Sequence, residues 1–313
     1  MNHHTSDGSV TRFEIDKGME NMVRPRRSLL FMPGSNARAL EKARILAADV
    51  VILDLEDSVA PDAKGLARDQ IAKAIAAGGF GKREVWIRTN ALDTPFWADD
   101  VKMAAKAGPH AILVPKVSSV ADLTTIATSL REANADPSVR VWAMIETARA
   151  VLHAEELAAA SRDVEPRLSG FAFGPNDISR ETRIRMQPGR AIMLPMFIHC
   201  ILAARAYGLE ILDGPYSDFS NIDGFNLECT QARDLGFDGK TLIHPGQIEA
   251  CNVIFTPPAE EVERARKIIA AFELPENAAR GAISLDGQMV ERLHADMARR
   301  TIAIADSIKA MTH

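Results

Sequence analysis

Val141-Trp-Ala-Met-Ile-Glu146-Thr147 is an apolar run that ends in a carboxylate. Valine, isoleucine and tryptophan over five or six residues read as a buried strand. The Ala-, Leu- and Glu-rich segment from Ala148 to Ala160 then reads as a helix. Glu146 therefore sits at the C-terminal lip of a buried strand, just before a helix begins.

The same arrangement recurs in both directions. Upstream lie Ser28-Leu-Leu-Phe-Met-Pro-Gly34, Asp49-Val-Val-Ile-Leu-Asp-Leu-Glu-Asp57, Glu84-Val-Trp-Ile-Arg-Thr-Asn90 and Ala111-Ile-Leu-Val-Pro-Lys116. Downstream lie Leu168-Ser-Gly-Phe-Ala-Phe-Gly174, Leu209-Glu-Ile-Leu-Asp213 and the segment from Phe237 to His244. Helical patterns separate them, among them Ala37–Ala47 capped by Ser35 or Asn36, Asp62–Ala77, and Leu194–Tyr207. Eight strand–helix units in about 220 residues predict an α/β fold, a (β/α)8 TIM barrel. An open doubly wound sheet is the rival, but no GxGxxG follows the first strand.

Residues 1–25 are expected to form a flexible arm and 26–256 the barrel. Residues 257–313 break the alternation at Pro257-Pro258. They read as a charged helix over Ala259–Phe272, a short hairpin over Ala282–Val290 and a last helix over Glu291–Ala310. This C-terminal helical extension is expected to be too small for its own core and to pack on the barrel or a neighbouring subunit.

Bulk properties exclude other classes. The 313 residues carry a net charge of −5, so no basic footprint suggests nucleic acid. No apolar run approaches the roughly 20 residues of a membrane helix, and the polar N-terminus is not a secretory signal. The three cysteines, Cys200, Cys229 and Cys251, show no CxxC spacing. A reducing, cytoplasmic setting is expected.

Chemistry is expected where the strands end. Glu146 and Asp177, on adjacent strand ends, make a hard oxygen site of the kind magnesium takes with water and substrate oxygens. Each is otherwise a helix cap or a salt-bridge partner. The Arg88 fork suits a substrate carboxylate, or pairs with Asp54, Glu56 and Asp57 on the neighbouring strand. Those three acids are metal ligands or, as we expect, partners of metal-bound water. Lys116 is a charge partner for the acids, with a Schiff-base role as the lesser alternative. Gly174-Pro-Asn176-Asp177 places a turn at a helix start, whose free N–H groups hold a carboxylate or oxyanion, or simply turn the chain. His244 fixes a loop or acts as a base. Arg24, Arg26 and Arg27 are expected near the barrel mouth, gripping the phosphates of a large cofactor such as coenzyme A or forming a solvated arm.

The motifs resemble the citrate lyase β-subunit group of the HpcH/HpaI aldolase superfamily. The resemblance rests on Arg27-Ser-Leu-Leu-Phe-Met-Pro-Gly-Ser35, Val51-Ile-Leu-Asp-Leu-Glu-Asp-Ser-Val59, Ile87-Arg-Thr-Asn90, Val114-Pro-Lys116, Ile145-Glu-Thr147 and the run from Gly236 to Pro245. It implies a magnesium-dependent barrel acting on CoA thioesters of hydroxy acids, as a homotrimer or hexamer. It implies Glu146 and Asp177 as magnesium ligands, Arg88 at the keto-acid part, and Arg27 and Lys116 along the substrate path. In lyases of the family a C-terminal aspartate reaches a neighbour's site as acid or base. Gly287-Gln-Met-Val-Glu291 puts Glu291 in its place, one methylene longer. Phe197 stands where many members carry arginine. Val290-Glu-Arg-Leu-His294 and Glu210-Ile-Leu-Asp-Gly-Pro215 resemble the malyl-CoA thioesterase branch. A C–C lyase of a malyl-, citramalyl- or citryl-CoA type is the leading expectation, with Glu291 protonating the enolate. A thioesterase on the same magnesium site and a non-catalytic binding barrel are the alternatives.

Overall fold

A computed structural model of the chain describes residues 24–311. The expected N-terminal arm falls almost wholly outside them. The chain divides into a unit spanning Arg26–Phe255 and a second that includes the residues from Thr256 onward.

The first unit is a closed parallel barrel of eight strands in sequence order. The strands are β1 Ser28–Pro33, β2 Val50–Asp54, β3 Glu84–Arg88, β4 Ala111–Val114, β5 Arg140–Ile145, β6 Leu168–Phe173, β7 Glu210–Asp213 and β8 Gly239–Leu242. Hydrogen bonding between β8 and β1 closes the ring. The fold expectation therefore holds; β3 and β7 end on the polar residues Arg88 and Asp213, and β4 and β5 end two and one residues before Lys116 and Glu146.

Helices follow the strands: α1 Ala37–Ala43, α2 Lys64–Ala77, α3 Trp97–Ala107, α4 Val120–Glu132, α5 Ala148–Leu152, α6 Ala154–Ala159, α7 Pro175–Thr182, α8 Leu194–Ala206, α9 Ile222–Leu235 and α10 Ile248–Phe255. Their starts follow local chemistry. Asn36 accepts from the Ala39 amide, Thr147 from that of Ala150, and Ser119 and Asp122 form a reciprocal capping box. The helix expected over Ala148–Ala160 is broken at His153, which leaves helical geometry. Among the described residues no helix is long and apolar enough to cross a membrane.

Side chains alternate across each strand, and this decides the layers. Leu29, Val50, Ile52, Trp86, Leu113, Trp142, Met144, Ala172 and Leu212 point inward and form an inner core. Their neighbours Leu30, Val51, Leu53, Ile87, Val141, Ile145, Phe171 and Ile211 face the helices and form an outer one. Trp86 and Trp142 fill the middle, their ring centroids 4.6 Å apart. A Cβ on Gly170 would stand 2.6 Å from the Trp142 ring, so glycine leaves the room that ring needs. The guanidinium of Arg26 closes the N-terminal end, 2.7 Å from Glu84, 2.8 Å from Glu210 and 5.4 Å from the Trp142 centroid.

Behind the barrel wall lies a second buried ionic group. Asp213 takes Arg190 at 2.8 Å and Lys240 at 2.6 Å, and Glu228 sits 3.5 Å from Lys240. Phe197 lies among Phe173 and Phe237, with the Arg190 guanidinium 4.9 Å above its ring.

The second unit contains α11 Ala259–Glu273, the antiparallel hairpin β9 Ala282–Leu285 and β10 Gln288–Glu291, and α12 Arg292–Met311. Ala265, Ile268, Phe272, Ile283, Val290, Ala295 and Ala298 make a small apolar core of its own. This corrects the expectation that the tail is too short for one. The hairpin folds back between two amphipathic helices, so three elements share one apolar face.

Asp213→Asn would leave two buried cations short of an anion. We expect a loss of about 3–5 kcal/mol of stability. A thermal unfolding scan checks this, and an unchanged midpoint would show that the ionic group is inert.

Candidate active site

On β2, β3 and β5 the inward face continues two residues further and there turns polar: Ile52 leads to Asp54, Trp86 to Arg88 and Met144 to Glu146, while on β6 Ala172 leads to Gly174. These positions line a cavity of about 370 Å³ at the C-terminal ends of the strands. Asp57, Ser58, Asn176, Asp177, Thr241 and Ile243 complete its wall.

Arg88 is the fixed point. Its Nε and Nη2 each donate to an Asp54 carboxylate oxygen at 2.7 Å, a bidentate pair. Its Nη1 lies 2.8 Å from Glu56 and 3.9 Å from Asp57. The guanidinium sits 4.6 Å above the Phe31 ring. Burial works against its charge, but Asp54 and Glu56 outweigh burial and hold its pKa above the usual range. Asp54 is depressed, since Arg88 and Ser58 outweigh its own burial. Arg88 is therefore a cation at any accessible pH.

Asp54 also organises the turn after β2. It accepts from the amides of Glu56 at 2.9 Å and Ser58 at 3.3 Å, and from Ser58 Oγ at 2.5 Å. Lys64 Nζ grips the same turn from α2, donating to the carbonyls of Leu55 at 2.6 Å and Glu56 at 2.8 Å.

Glu146 is 2% exposed. Burial raises its pKa to about 8, reinforced by the negative charges of Glu56 and Asp177. Its one described donor is the Lys116 amide, at 2.8 Å. Lys116 takes a left-handed backbone, φ 56°, which costs a non-glycine residue about 1–2 kcal/mol. Its Nζ reaches Glu56 at 3.0 Å. Gly174 makes room for the Glu146 side chain: its φ of −109° suits any residue, but a Cβ there would stand 2.7 Å from Glu146 Oε2. Space, not backbone freedom, requires glycine.

Asp177 lies in the first turn of α7 and pairs with the exposed Arg180 at 2.6 Å. Gly174 caps that helix without a side-chain hydrogen bond. The amides of Asn176 and Asp177 point out of the first turn, where helix N–H groups have no intrahelical acceptor.

Arg88, Glu146, Asp177, Gly174, Asn176, Asp54 and Asp57 thus share one cavity, with Glu56 and Lys116 bracing it. Arg27 does not join them. It precedes β1, and its side chain pairs with Asp49 at 2.8 Å at the start of β2. Six strand residues, about 20 Å, separate that end from the cavity. Arg26 lies at the same N-terminal end, in the floor of the barrel. The basic group expected at the mouth is therefore corrected for both residues, because both precede β1 and lie at the N-terminal end of the barrel. Glu291 ends β10 in the second unit, its amide donating to His294 Nδ1 at 2.9 Å. His244 Nδ1 accepts from the Gly246 amide at 3.1 Å, the loop-fixing role. Ser58, Thr241 and the apolar wall are cavity residues that the sequence does not single out; the period-two register of β8 carries a signal for Thr241 and Ile243 alone.

The donor set fits a hard divalent cation. Among the described residues no group of three or more His, Cys, Asp or Glu is placed to hold a metal. Two crowded carboxylates, with water and substrate oxygens for the rest, match the habit of magnesium. Glu146 and Asp177 would hold it.

The fold is an α/β barrel with a polar cavity at the C-terminal rim of its strands. The chain belongs to the HpcH/HpaI aldolase/citrate lyase family, whose model matches residues 27–245. It is 45% identical over 292 residues to a (3S)-malyl-CoA thioesterase of Cereibacter sphaeroides, covering 93% of this chain and 99% of that protein. It is 35% identical to an L-malyl-CoA/β-methylmalyl-CoA lyase of the same species, covering 92% and 97%. Among solved structures, the CitE protein of Mycobacterium tuberculosis in complex with magnesium, acetoacetate and coenzyme A matches with a TM-score of 0.71 and 27% identity, covering 91% of this chain and 99% of that one.

Gly174→Ala should displace Glu146 and weaken magnesium binding at least tenfold, and Glu146→Gln should abolish it, both with folded circular dichroism spectra. Calorimetric titration measures this; native affinity in Glu146→Gln removes that residue from the ligand set.

Proposed function

We propose that the chain hydrolyses a (3S)-malyl-CoA-type thioester to malate and free CoA in the barrel cavity. The observation that carries this is the union, in one cavity, of a pinned arginine with two carboxylates suited to a hard cation. The choice of hydrolysis over C–C cleavage is supported by the 45% identical thioesterase, set against 35% for the lyase.

Arg88 has five N–H donors. Two bind Asp54 and a third faces Glu56, so two remain for the carboxylate of the acyl group. Because Asp54 holds the fork rigidly, little orientation entropy is lost on binding. Magnesium on Glu146 and Asp177 would supply a Lewis-acid charge for the hydroxyl and carboxylate oxygens of the substrate. The free amides at the start of α7 would face the oxyanion that forms as water adds to the thioester carbonyl. Collapse expels the thiolate.

The lyase is the second reading, supported by the lyase relative. It breaks the carbon–carbon bond beside the thioester and assigns protonation of the enolate to Glu291 of a neighbouring copy in a homo-oligomer.

Incubation with (3S)-malyl-CoA and magnesium separates these. We expect free CoA and malate in equal amounts. Acetyl-CoA with glyoxylate would establish the lyase instead. No turnover across a panel of hydroxyacyl-CoA esters, with magnesium bound, would favour a binding barrel.

A further inference from the structure

Hydrolysis needs a base that the site as described does not supply. Four carboxylates line the cavity: Asp54, Asp57, Glu146 and Asp177. Asp54 is spent, with both oxygens on Arg88 and further bonds from Ser58 and the Glu56 amide. Glu146 and Asp177 form the cation pair, and a carboxylate that shares its electrons with a cation is a poor proton acceptor. Asp57 is left.

Its setting suits the task. Its side chain is 71% exposed, so water reaches it from the open end of the cavity. Its backbone is nonetheless held. The amides on either side, of Glu56 and Ser58, both donate to Asp54. Lys64 holds the carbonyls of Leu55 and Glu56. The anchor that fixes Arg88 therefore also fixes the backbone of Asp57, and a carboxylate oxygen lies 3.9 Å from Arg88 Nη1. That gap is too long for a direct hydrogen bond and leaves the carboxylate free to hold a water. The charged groups that face Asp57 are Arg88 from β3, Asp54 and Glu56 from its own segment, and Lys64 from α2.

We propose that Asp57 is the general base of the hydrolysis. Its carboxylate accepts a proton from water as the water oxygen bonds to the thioester carbon. The carbon–sulfur bond then breaks, and the proton passes from Asp57 to the departing thiolate. Water and thioester are consumed; a carboxylic acid and a thiol are formed. The assignment rests on the hydrolytic reading above.

The test is thiol release from (3S)-malyl-CoA with water and with hydroxylamine as the nucleophile. A well-placed base contributes about 10²–10⁴-fold. Asp57→Asn should lose that much kcat, with KM and magnesium affinity unchanged. Asp57→Glu should recover part of the rate. Hydroxylamine, a nucleophile that needs less help from a base, should turn over at comparable rates with native and Asp57→Asn protein. Native kcat in Asp57→Asn overturns the assignment while leaving the thioesterase reading intact. An equal loss with hydroxylamine also overturns it, by showing a structural role. A native protein that releases no thiol removes both readings together.

Discussion

The bidentate pair between Arg88 and Asp54 is the constraint on which the site depends. Both groups are buried, and a buried ion pair contributes to stability only when its geometry and remaining hydrogen bonds are satisfied. Here they are. The two 2.7 Å bonds join β2 to β3, and the spare capacity of Asp54 goes into the turn that follows. One carboxylate thus positions the cation of the cavity and the backbone on either side of Asp57. Removing it would leave Arg88 buried without its partner and the turn without its acceptor.

The barrel interior reads from bottom to top as charge, aromatic, charge. Arg26 with Glu84 and Glu210 forms the floor, Trp86 and Trp142 the middle, and Arg88 with Asp54 and Glu146 the rim. At the floor both acids are paired to Arg26, and the aromatic pair lies above the guanidinium. The rim is less balanced. Glu56, Glu146 and Asp177 bring more negative charge than Lys116 offsets, and burial together with that charge raises the pKa of Glu146. Stability sits at one end and unbalanced charge at the other, as expected where barrel enzymes place their chemistry.

Much of this was legible in the sequence. Eight apolar runs with polar tips predict the barrel, and period-two alternation carries the inward face from Met144 to Glu146 and from Trp86 to Arg88. Other features were not. Gly174 reads as a turn residue, yet it is there because Glu146 fills the space a Cβ would need. Arg27 belongs to a motif whose other members reach the cavity, but as the residue before its strand it lies at the other end of the barrel. The core of the C-terminal unit escaped because residue count alone does not show that a hairpin will fold between two helices. The bond from the Lys116 amide to Glu146 depends on a left-handed backbone that a proline–lysine pair does not announce.

The central claim is that Glu146 and Asp177 share a divalent cation beside Arg88. Diffraction from crystals grown with manganese in place of magnesium tests it most directly, since manganese scatters anomalously. The account predicts one strong anomalous peak within coordination distance of both carboxylates, with Arg88 still paired to Asp54. A peak elsewhere in the barrel, or none at saturating metal with both carboxylates in view, would contradict it.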